Sequence, residues 1–189
     1  MSKIKVEDTK LKGLKIITPF YVEDNRGYFL KAFEKNDFKE LGIDLDIQET
    51  FESFSVKGVI RGLHFQTGEF AQAKLVRVLF GEVYDVCVDI RPESETFGQW
   101  VGMYLSSENH KAFYMEKGFA HGFLVVSDSA LMSYTVSGAH NNSGESGIFY
   151  NDEDLKIDWP INNLKVIQSE RDTRLDTFKS YCKKVINKK

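Results

Sequence analysis

Short apolar runs that alternate with polar residues fill most of the chain between residues 14 and 136. Examples are LKIITPFYVED, KLVRVLF, EVYDVCVDI, QWVGMYLS, KAFYMEKG, AHGFLVVS and ALMSYTVS, each bounded by Gly, Ser, Asn or Asp. Period-two alternation indicates strands, and the boundary residues are typical of turns. The pattern therefore predicts an all-β sandwich or barrel with few helices.

A hairpin and two helices complete the predicted elements. The polar DNRG at 24–27 separates two strand-like runs, which is typical of a hairpin turn. NDFKELG predicts a short helix with Asn36 as its N-cap and Gly42 at its end. Near the C-terminus, apolar residues recur every three or four positions, which predicts an amphipathic helix opened by Ser169. These residues are Leu175, Phe178, Cys182 and Val185.

One predicted strand, VYDVCVDI, has two unlike faces. Tyr84, Val86, Val88 and Ile90 share one face, and Val83, Asp85, Cys87 and Asp89 share the other. A solvated outer face and the lumen of a ligand-binding barrel both account for the mixed second face. The alternation alone does not decide between them.

Composition narrows the class of protein. The 189 residues predict a single domain over 1–189, and 42% hydrophobic residues can form a sizeable core. A net charge of −3 without a basic stripe argues against nucleic acid as a partner. The two cysteines have no motif spacing, so we expect reduced thiols. There is neither an apolar leader nor a membrane-length apolar run, so we expect a cytoplasmic protein without a membrane partner.

The histidine pattern disfavours a catalytic metal. A zinc or iron site needs three or four converging ligands, and no H-x-H, H-E-x-x-H or H-x-D pair occurs. His110 and His140 lie in polar turns, which leaves only His64 and His121 in strand-like runs.

Acid–base chemistry without a metal fits the same residues. A barrel lumen holding His64, His121, Lys74, Arg61, Asp85 and Tyr134 would combine a base, an acid and a fixed cation. Several of these residues also have a structural interpretation: the histidines and Tyr134 as satisfied core residues, and Lys74 as a surface lysine. Asp172, a further candidate, fits a capping box with Ser169. Spacing does not establish that they converge.

Together, the motifs around these candidate residues resemble those of the dTDP-4-dehydrorhamnose 3,5-epimerase family. The resemblance is carried by GVIRGLHFQ, AKLVRVLFGEVYDVCVDIRPESETFGQW, LSSENHKAFYMEKGFAHGFLVVSDSALMSY and DEDLKIDWP with the later SERD. These motifs occur in order from about residue 13 to residue 173.

The resemblance implies a cupin-type double-stranded β-helix, or jelly roll, that acts as a homodimer without metal or cofactor. Its substrates would be nucleotide-linked 4-keto-6-deoxy sugars, inverted at C3, C5 or both, in deoxysugar biosynthesis for a surface polysaccharide. By motif position, His64 would be the general base and Asp172 the carboxylate that orients it. Tyr134 would be the acid for the opposite face, and Lys74 would stabilise the enolate.

The resemblance also implies a set of substrate-binding residues. They are Arg61, Ser53, His121, Asp85, Arg26, Tyr28, Gln66, Glu145 and Arg171. We add Lys31, which departs from the family pattern, as a residue that could contact the base. Arg61 is in tension with the strand pattern, because strict alternation puts it with Leu63 on the face opposite His64. A bulge would bring Arg61 to the pocket mouth near the diphosphate.

Departures from the family pattern lie where the nucleotide would bind. Lys31 stands in place of a carboxylate, and Glu49-Thr50-Phe51 stands in place of Gln-Asp-Asn. Ala139 and His140 replace two tyrosines, and Arg171 replaces a lysine. We therefore favour a GDP- or CDP-linked substrate over a dTDP-linked one, and a heptose remains an alternative to a hexose.

Two other functions remain as alternatives. A nucleotide-sugar 3,4-ketoisomerase would share the cup and its proton shuttles but move the ketone. A sugar-nucleotide-binding cupin without activity is disfavoured because His64, Tyr134 and Asp172 are all present.

Overall fold

Two antiparallel sheets pack face to face in the computed structural model, which describes residues 4–186. The first sheet has six strands in the order β1-β2-β10-β7-β12-β5, and the second has five in the order β13-β6-β11-β8-β9. The strands are β1 (Lys5–Asp8), β2 (Leu14–Thr18), β3 (Phe20–Asp24), β4 (Gly27–Lys31), β5 (Glu49–Val56), β6 (Ile60–Gln66), β7 (Lys74–Phe80), β8 (Glu82–Asp89), β9 (Trp100–Ser106), β10 (Ala112–Met115), β11 (Phe119–Val125), β12 (Ser129–Val136) and β13 (Glu145–Gly147). This is the predicted all-β jelly roll.

The main core lies between the two sheets. Along β8, Val83 and Cys87 point into this core beside Phe113 and Met132, as the alternation predicts. Val86 and Val88 point the other way. The mixed face of β8 is therefore the interior of the sandwich, which settles the choice that the sequence leaves open.

Each sheet is also covered on its outer face. The short helix α1 (Lys35–Glu40) places Phe38 against the six-stranded sheet, where it is buried with Ile17. The segment after β13 covers the five-stranded sheet with Trp159 and Tyr181. Burial on both faces holds the strands rigidly, which favours precise placement of side chains at their ends.

Strands β3 and β4 form the predicted hairpin, with Asp24 paired to Gly27 across the turn. The run LKIITPFYVED is not one strand: Pro19 separates β2 from β3, and the two belong to different sheets. Proline has no N–H to donate to a strand ladder, which explains the break.

The helix boundaries correct two predictions. The N-cap of α1 is Glu34, whose carboxylate accepts the N–H of Asp37 at 2.7 Å, and not Asn36. The C-terminal helix α2 (Phe178–Ile186) begins nine residues after Ser169, following a 3₁₀ turn at Asp172–Arg174. Asp152 accepts the N–H of Phe178 at 2.8 Å, so the signal for this start lies in another part of the chain.

Cys87 and Cys182 are free thiols, as predicted. The helices among residues 4–186 lack the length and apolar character that a membrane span requires.

Candidate active site

A cavity of about 460 Å³ opens between the two sheets. Its walls come from β5, β7 and β12 of one sheet, from β6, β11 and β13 of the other, and from the loops beside them. The lining residues are Glu49, Phe51, Ser53, Arg61, His64, Phe65, Gln66, Gln72, Lys74, His121, Phe123, Tyr134, His140, Glu145 and Arg171. Nine residues predicted from the sequence are among them.

His64 is held by a buried carboxylate. Its Nε2 lies 2.9 Å from Oδ1 of Asp172, whose other oxygen accepts the N–H of Gly62 at 3.3 Å. Burial alone would raise the pKa of Asp172, but these hydrogen bonds outweigh it and lower the pKa to about 2. The carboxylate is therefore ionised at neutral pH. The N–H of Asp172 also donates to Ser169 Oγ at 3.1 Å, so the capping contact and the contact with His64 coexist.

Arg61 and His64 both line the cavity, which corrects the face assignment from strict alternation. Across β6 and β11, His121 pairs with His64 and Phe123 pairs with Arg61, so β6 carries one extra residue in this interval. Such a bulge turns both polar side chains to the same side, while Leu63 stays buried on the other face. Arg61 Nε donates to Ser55 Oγ at 3.0 Å, which fixes the guanidinium at the cavity wall.

Two glycines permit this bulge. Gly62 has a φ of +115°, and a Cβ on it would lie 2.6 Å from the Cα of Gly122. A Cβ on Gly122 would in turn lie 2.7 Å from the carbonyl oxygen of Arg61. The glycines of RGLHF and AHGF thus meet back to back, because only hydrogen fits between the two backbones.

A second histidine–carboxylate pair lies deeper in the sandwich. His121 Nε2 is 2.9 Å and 3.0 Å from the two oxygens of Asp85, and both residues are buried. Burial raises the pKa of Asp85, although the hydrogen bond with His121 opposes the rise. Lys74 lines the same cavity at the start of β7, and burial lowers its pKa to about 8. Lys74 is therefore a cation at neutral pH that loses its charge in mildly alkaline solution.

Tyr134 faces the cavity from β12, on the sheet opposite His64. Its hydroxyl is 3.2 Å from Ser53 Oγ, and burial raises its pKa well above the ordinary value. Its ring stacks on Phe51, with centroids 4.7 Å apart and planes 13° from parallel. The phenol is therefore a neutral proton donor at physiological pH.

Charged side chains gather at the mouth of the cavity. Arg171 donates to Glu145 at 2.5 Å, and its Nη2 lies 3.2 Å from His64 Nε2. His140 Nε2 is 3.4 Å from the same Glu145 oxygen, and the backbone N–H of His140 donates to the Glu49 carboxylate at 3.1 Å. His140 thus belongs to the cavity despite its place in a polar turn.

Four predicted binding residues are absent from the cavity lining: Asp85, which is buried against His121, and three residues of the β3–β4 hairpin. Arg26, Tyr28 and Lys31 are on the exposed β3–β4 hairpin, where Arg26 pairs with Asp24 at 2.6 Å. The structure adds Phe65, Gln72 and Phe123, for which the sequence offers no chemical signal. Gln72 is placed by a 2.5 Å hydrogen bond from Nε2 to the carbonyl of Gly138. Gln66 lines the cavity with its buried Oε1 unpaired among the described residues.

Within residues 4–186, His, Cys, Asp and Glu side chains form no group of three or more that could hold a metal ion. His64 and His121 each pair with a single carboxylate. His64, Lys74 and Tyr134 bring an imidazole, an amino group and a phenol into one cavity.

Known proteins are similar to this chain over most of its length. A profile of the dTDP-4-dehydrorhamnose 3,5-epimerase family matches residues 8–180. The chain belongs to this family. A dTDP-4-dehydrorhamnose 3,5-epimerase of Methanothermobacter thermautotrophicus is 43% identical over 173 residues, which cover 91% of this chain and 93% of that one. The Escherichia coli dTDP-4-dehydrorhamnose 3,5-epimerase is 44% identical over 171 residues, with 90% and 92% covered.

Solved structures of the epimerase family have the same architecture. The dTDP-4-dehydrorhamnose 3,5-epimerase of Elizabethkingia anophelis superposes with a TM-score of 0.89 at 46% identity, covering 94% of this chain and 97% of that one. A dTDP-6-deoxy-D-glucose-3,5-epimerase of Legionella pneumophila, in complex with dTDP-4-keto-L-rhamnose, gives 0.89 at 43% identity, with 92% of each chain covered. These epimerases are named for dTDP sugars, so the expectation of a GDP- or CDP-linked substrate is not supported.

Proposed function

We propose that the protein inverts C3, C5 or both in a dTDP-linked 4-keto-6-deoxy hexose. The observation that carries this proposal is that His64 and Tyr134 line one cavity from opposite sheets. Inversion at carbon needs a base on one face of the sugar ring and an acid on the other. A ring bound between the two sheets has both.

In the proposed first step, His64 removes a proton from the carbon next to the ketone. The ionised Asp172 accepts a hydrogen from Nε2, so Nδ1 carries the lone pair that takes the proton. The electron pair of the broken C–H bond forms a C–C double bond, and the carbonyl π electrons move onto oxygen as an enolate. The resulting imidazolium is stabilised by Asp172.

In the second step, Tyr134 gives its hydroxyl proton to the same carbon from the opposite face. The enolate electrons form the new C–H bond, the ketone is restored, and the tyrosinate takes a proton from solvent in exchange for the one that His64 holds. The cationic Lys74 stabilises the negative charge on the enolate oxygen. No oxidant, metal or cofactor takes part in this balance.

The choice of dTDP rests on the relatives, whose names specify dTDP sugars. Two arginines that line the cavity, Arg61 and Arg171, support a negatively charged ligand. Guanidinium groups bind phosphate oxygens in a two-pronged manner, which suits the diphosphate linker.

We also infer a homodimer of one-domain subunits. Exposed large apolar side chains lie on the β3–β4 hairpin at Val22, Tyr28 and Phe29, and Val22 and Phe29 are paired across its two strands. Contiguous exposed apolar surface is typical of an association face. Because Arg26, Tyr28 and Lys31 lie outside the cavity of their own chain, they contact substrate only as part of a neighbouring subunit.

The test is incubation with dTDP-4-keto-6-deoxyglucose in D₂O, followed by NMR and mass spectrometry. We expect deuterium at C3, C5 or both, together with an epimerised product that keeps its ketone at C4. Movement of the ketone to C3 would instead identify a 3,4-ketoisomerase. Absence of both exchange and product would contradict the proposal, and His64→Asn serves as the inactive control.

A further inference from the structure

Phe51 covers one face of the Tyr134 ring. The two residues are direct partners across β5 and β12, and their rings lie 4.7 Å apart and 13° from parallel. Side chains at directly paired positions of antiparallel strands lie on the same face, so the strand register itself brings the two rings together. Tyr134 is only 7% exposed, whereas Phe51 is 45% exposed at the cavity mouth.

The other contacts of Tyr134 do not involve the ring face that Phe51 covers. Ser53 holds the hydroxyl at 3.2 Å, and His121 meets the ring edge-on at 6.1 Å with an interplanar angle of 75°. A single hydrogen bond at the tip allows the ring to rotate and tilt about it. The stacked Phe51 removes that freedom and separates the ring from the water at the mouth.

We propose that Phe51 is a positioning residue for the acid step: it fixes the Tyr134 ring so that the proton reaches the substrate carbon from the face opposite His64. This inference rests on the proposed epimerase function and deepens it. Phe51 occupies a position where the family pattern has an amide side chain, so the device is a property of this chain. An amide offers a hydrogen bond at this place, whereas the aromatic ring offers a flat apolar surface.

The chemistry gives a readout that belongs to the acid step alone. Removal of a proton by His64 and its return to the same face from deuterated solvent labels the carbon without inverting it. Inversion needs Tyr134 in addition. The ratio of inverted product to labelled but uninverted sugar therefore measures how well the acid competes with return of the proton from His64.

The experiment compares wild type, Phe51→Leu and Phe51→Tyr with dTDP-4-keto-6-deoxyglucose in D₂O. Leu keeps an apolar side chain but loses the ring, and Tyr keeps the ring. Phe54→Leu is the matched control, because Phe54 is on the same strand with its side chain 61% exposed and absent from the cavity lining. The ratio is measured within each reaction, so it does not depend on how much of a variant is folded or active.

We expect Phe51→Leu to lower the ratio by about three- to tenfold, the range that follows from the loss of one aromatic pair. Phe51→Tyr and Phe54→Leu should keep the ratio of the wild type, and KM should change little in Phe51→Leu. If wild type exchanges and inverts but Phe51→Leu keeps its ratio, the role of Phe51 is wrong and the epimerase function stands. If wild type neither exchanges nor inverts, the proposed function fails and this inference fails with it.

Discussion

At the scale of single residues, a substitution of Tyr134 distinguishes substrate binding from catalysis most clearly. Tyr134→Phe removes one hydroxyl and keeps the ring that stacks on Phe51. We expect kcat for epimerisation to fall about 10²- to 10⁴-fold, the usual contribution of a positioned acid, with little change in KM. Steady-state kinetics with product analysis by NMR checks this. A fully active Tyr134→Phe enzyme would rule out Tyr134 as the acid.

Lys74 sets the expected alkaline limit of activity. Burial lowers its pKa to about 8, so the ammonium is present below that pH and lost above it. Because the proposed role needs the cation, kcat should fall as pH rises through about 8. In Lys74→Arg the guanidinium stays charged, so the residual kcat of this variant should not fall as pH rises through about 8. If kcat of Lys74→Arg still falls in this pH range, the decrease is due to another group.

Asp172 links the active site to acid stability. Its folded pKa of about 2 lies below the unfolded value of 3.8, so its contribution is present above pH 4 and is lost as pH falls towards 2. The difference corresponds to roughly 2 kcal/mol. Asp172→Asn should flatten this part of a plot of unfolding free energy against pH, measured by urea denaturation. An unchanged slope between pH 4 and pH 2 would contradict the prediction.

Residue identities were the most predictable part of the site. His64, Lys74, Tyr134 and Glu145 all line one cavity, and so do Glu49 and Phe51, two of the three positions at 49–51 that depart from the family pattern. Their motifs mark them in the sequence because their side chains carry distinctive chemistry. Phe65 and Phe123 carry no such mark, since an apolar residue in a strand is expected whether it lines a cavity or a core.

At the scale of elements, the bulge between β6 and β11 makes the site. Gly62→Ala should lower the unfolding free energy by at least about 2 kcal/mol more than Gly27→Ala does. The two glycines have nearly equal φ values of +115° and +114°, but a Cβ on Gly27 meets nothing within 4 Å. Comparison of Gly62→Ala with Gly27→Ala therefore distinguishes the cost of steric overlap with Gly122 from the cost of backbone strain. Equal losses in urea denaturation would show that close approach to Gly122 costs nothing.

The bulge in β6 also shows which features of strands and helices could not be predicted from local sequence. Alternation gave the two faces of β8 correctly, because that strand is regular along its length. Alternation failed at β6, because one extra residue reverses the phase there, and that bulge depends on close contact between Gly62 and Gly122 of another strand. The start of α2 failed for a similar reason, since Asp152 caps the helix from 26 positions away.

At the scale of the whole molecule, the inferred dimer predicts complementation. Arg26→Ala and His64→Asn should each be nearly inactive, the first through the hairpin and the second through the base. Mixed dimers should regain activity, because one of their two cavities combines an intact His64 with an intact hairpin from the neighbour. Mixing after brief denaturation and refolding, followed by the epimerase assay, tests this. Arg26→Ala that is fully active alone would remove the hairpin from the site.

The placement of His64 and Tyr134 on opposite sheets has a consequence for how such an enzyme can change. The width available to the sugar ring is the spacing between the sheets, about 10 Å, and that spacing is set by the side chains packed between them. Core residues such as Met132 and Phe113 are thus spacers that determine the gap between base and acid. Substrate size can therefore be retuned from the hydrophobic interior, at positions that never touch the ligand.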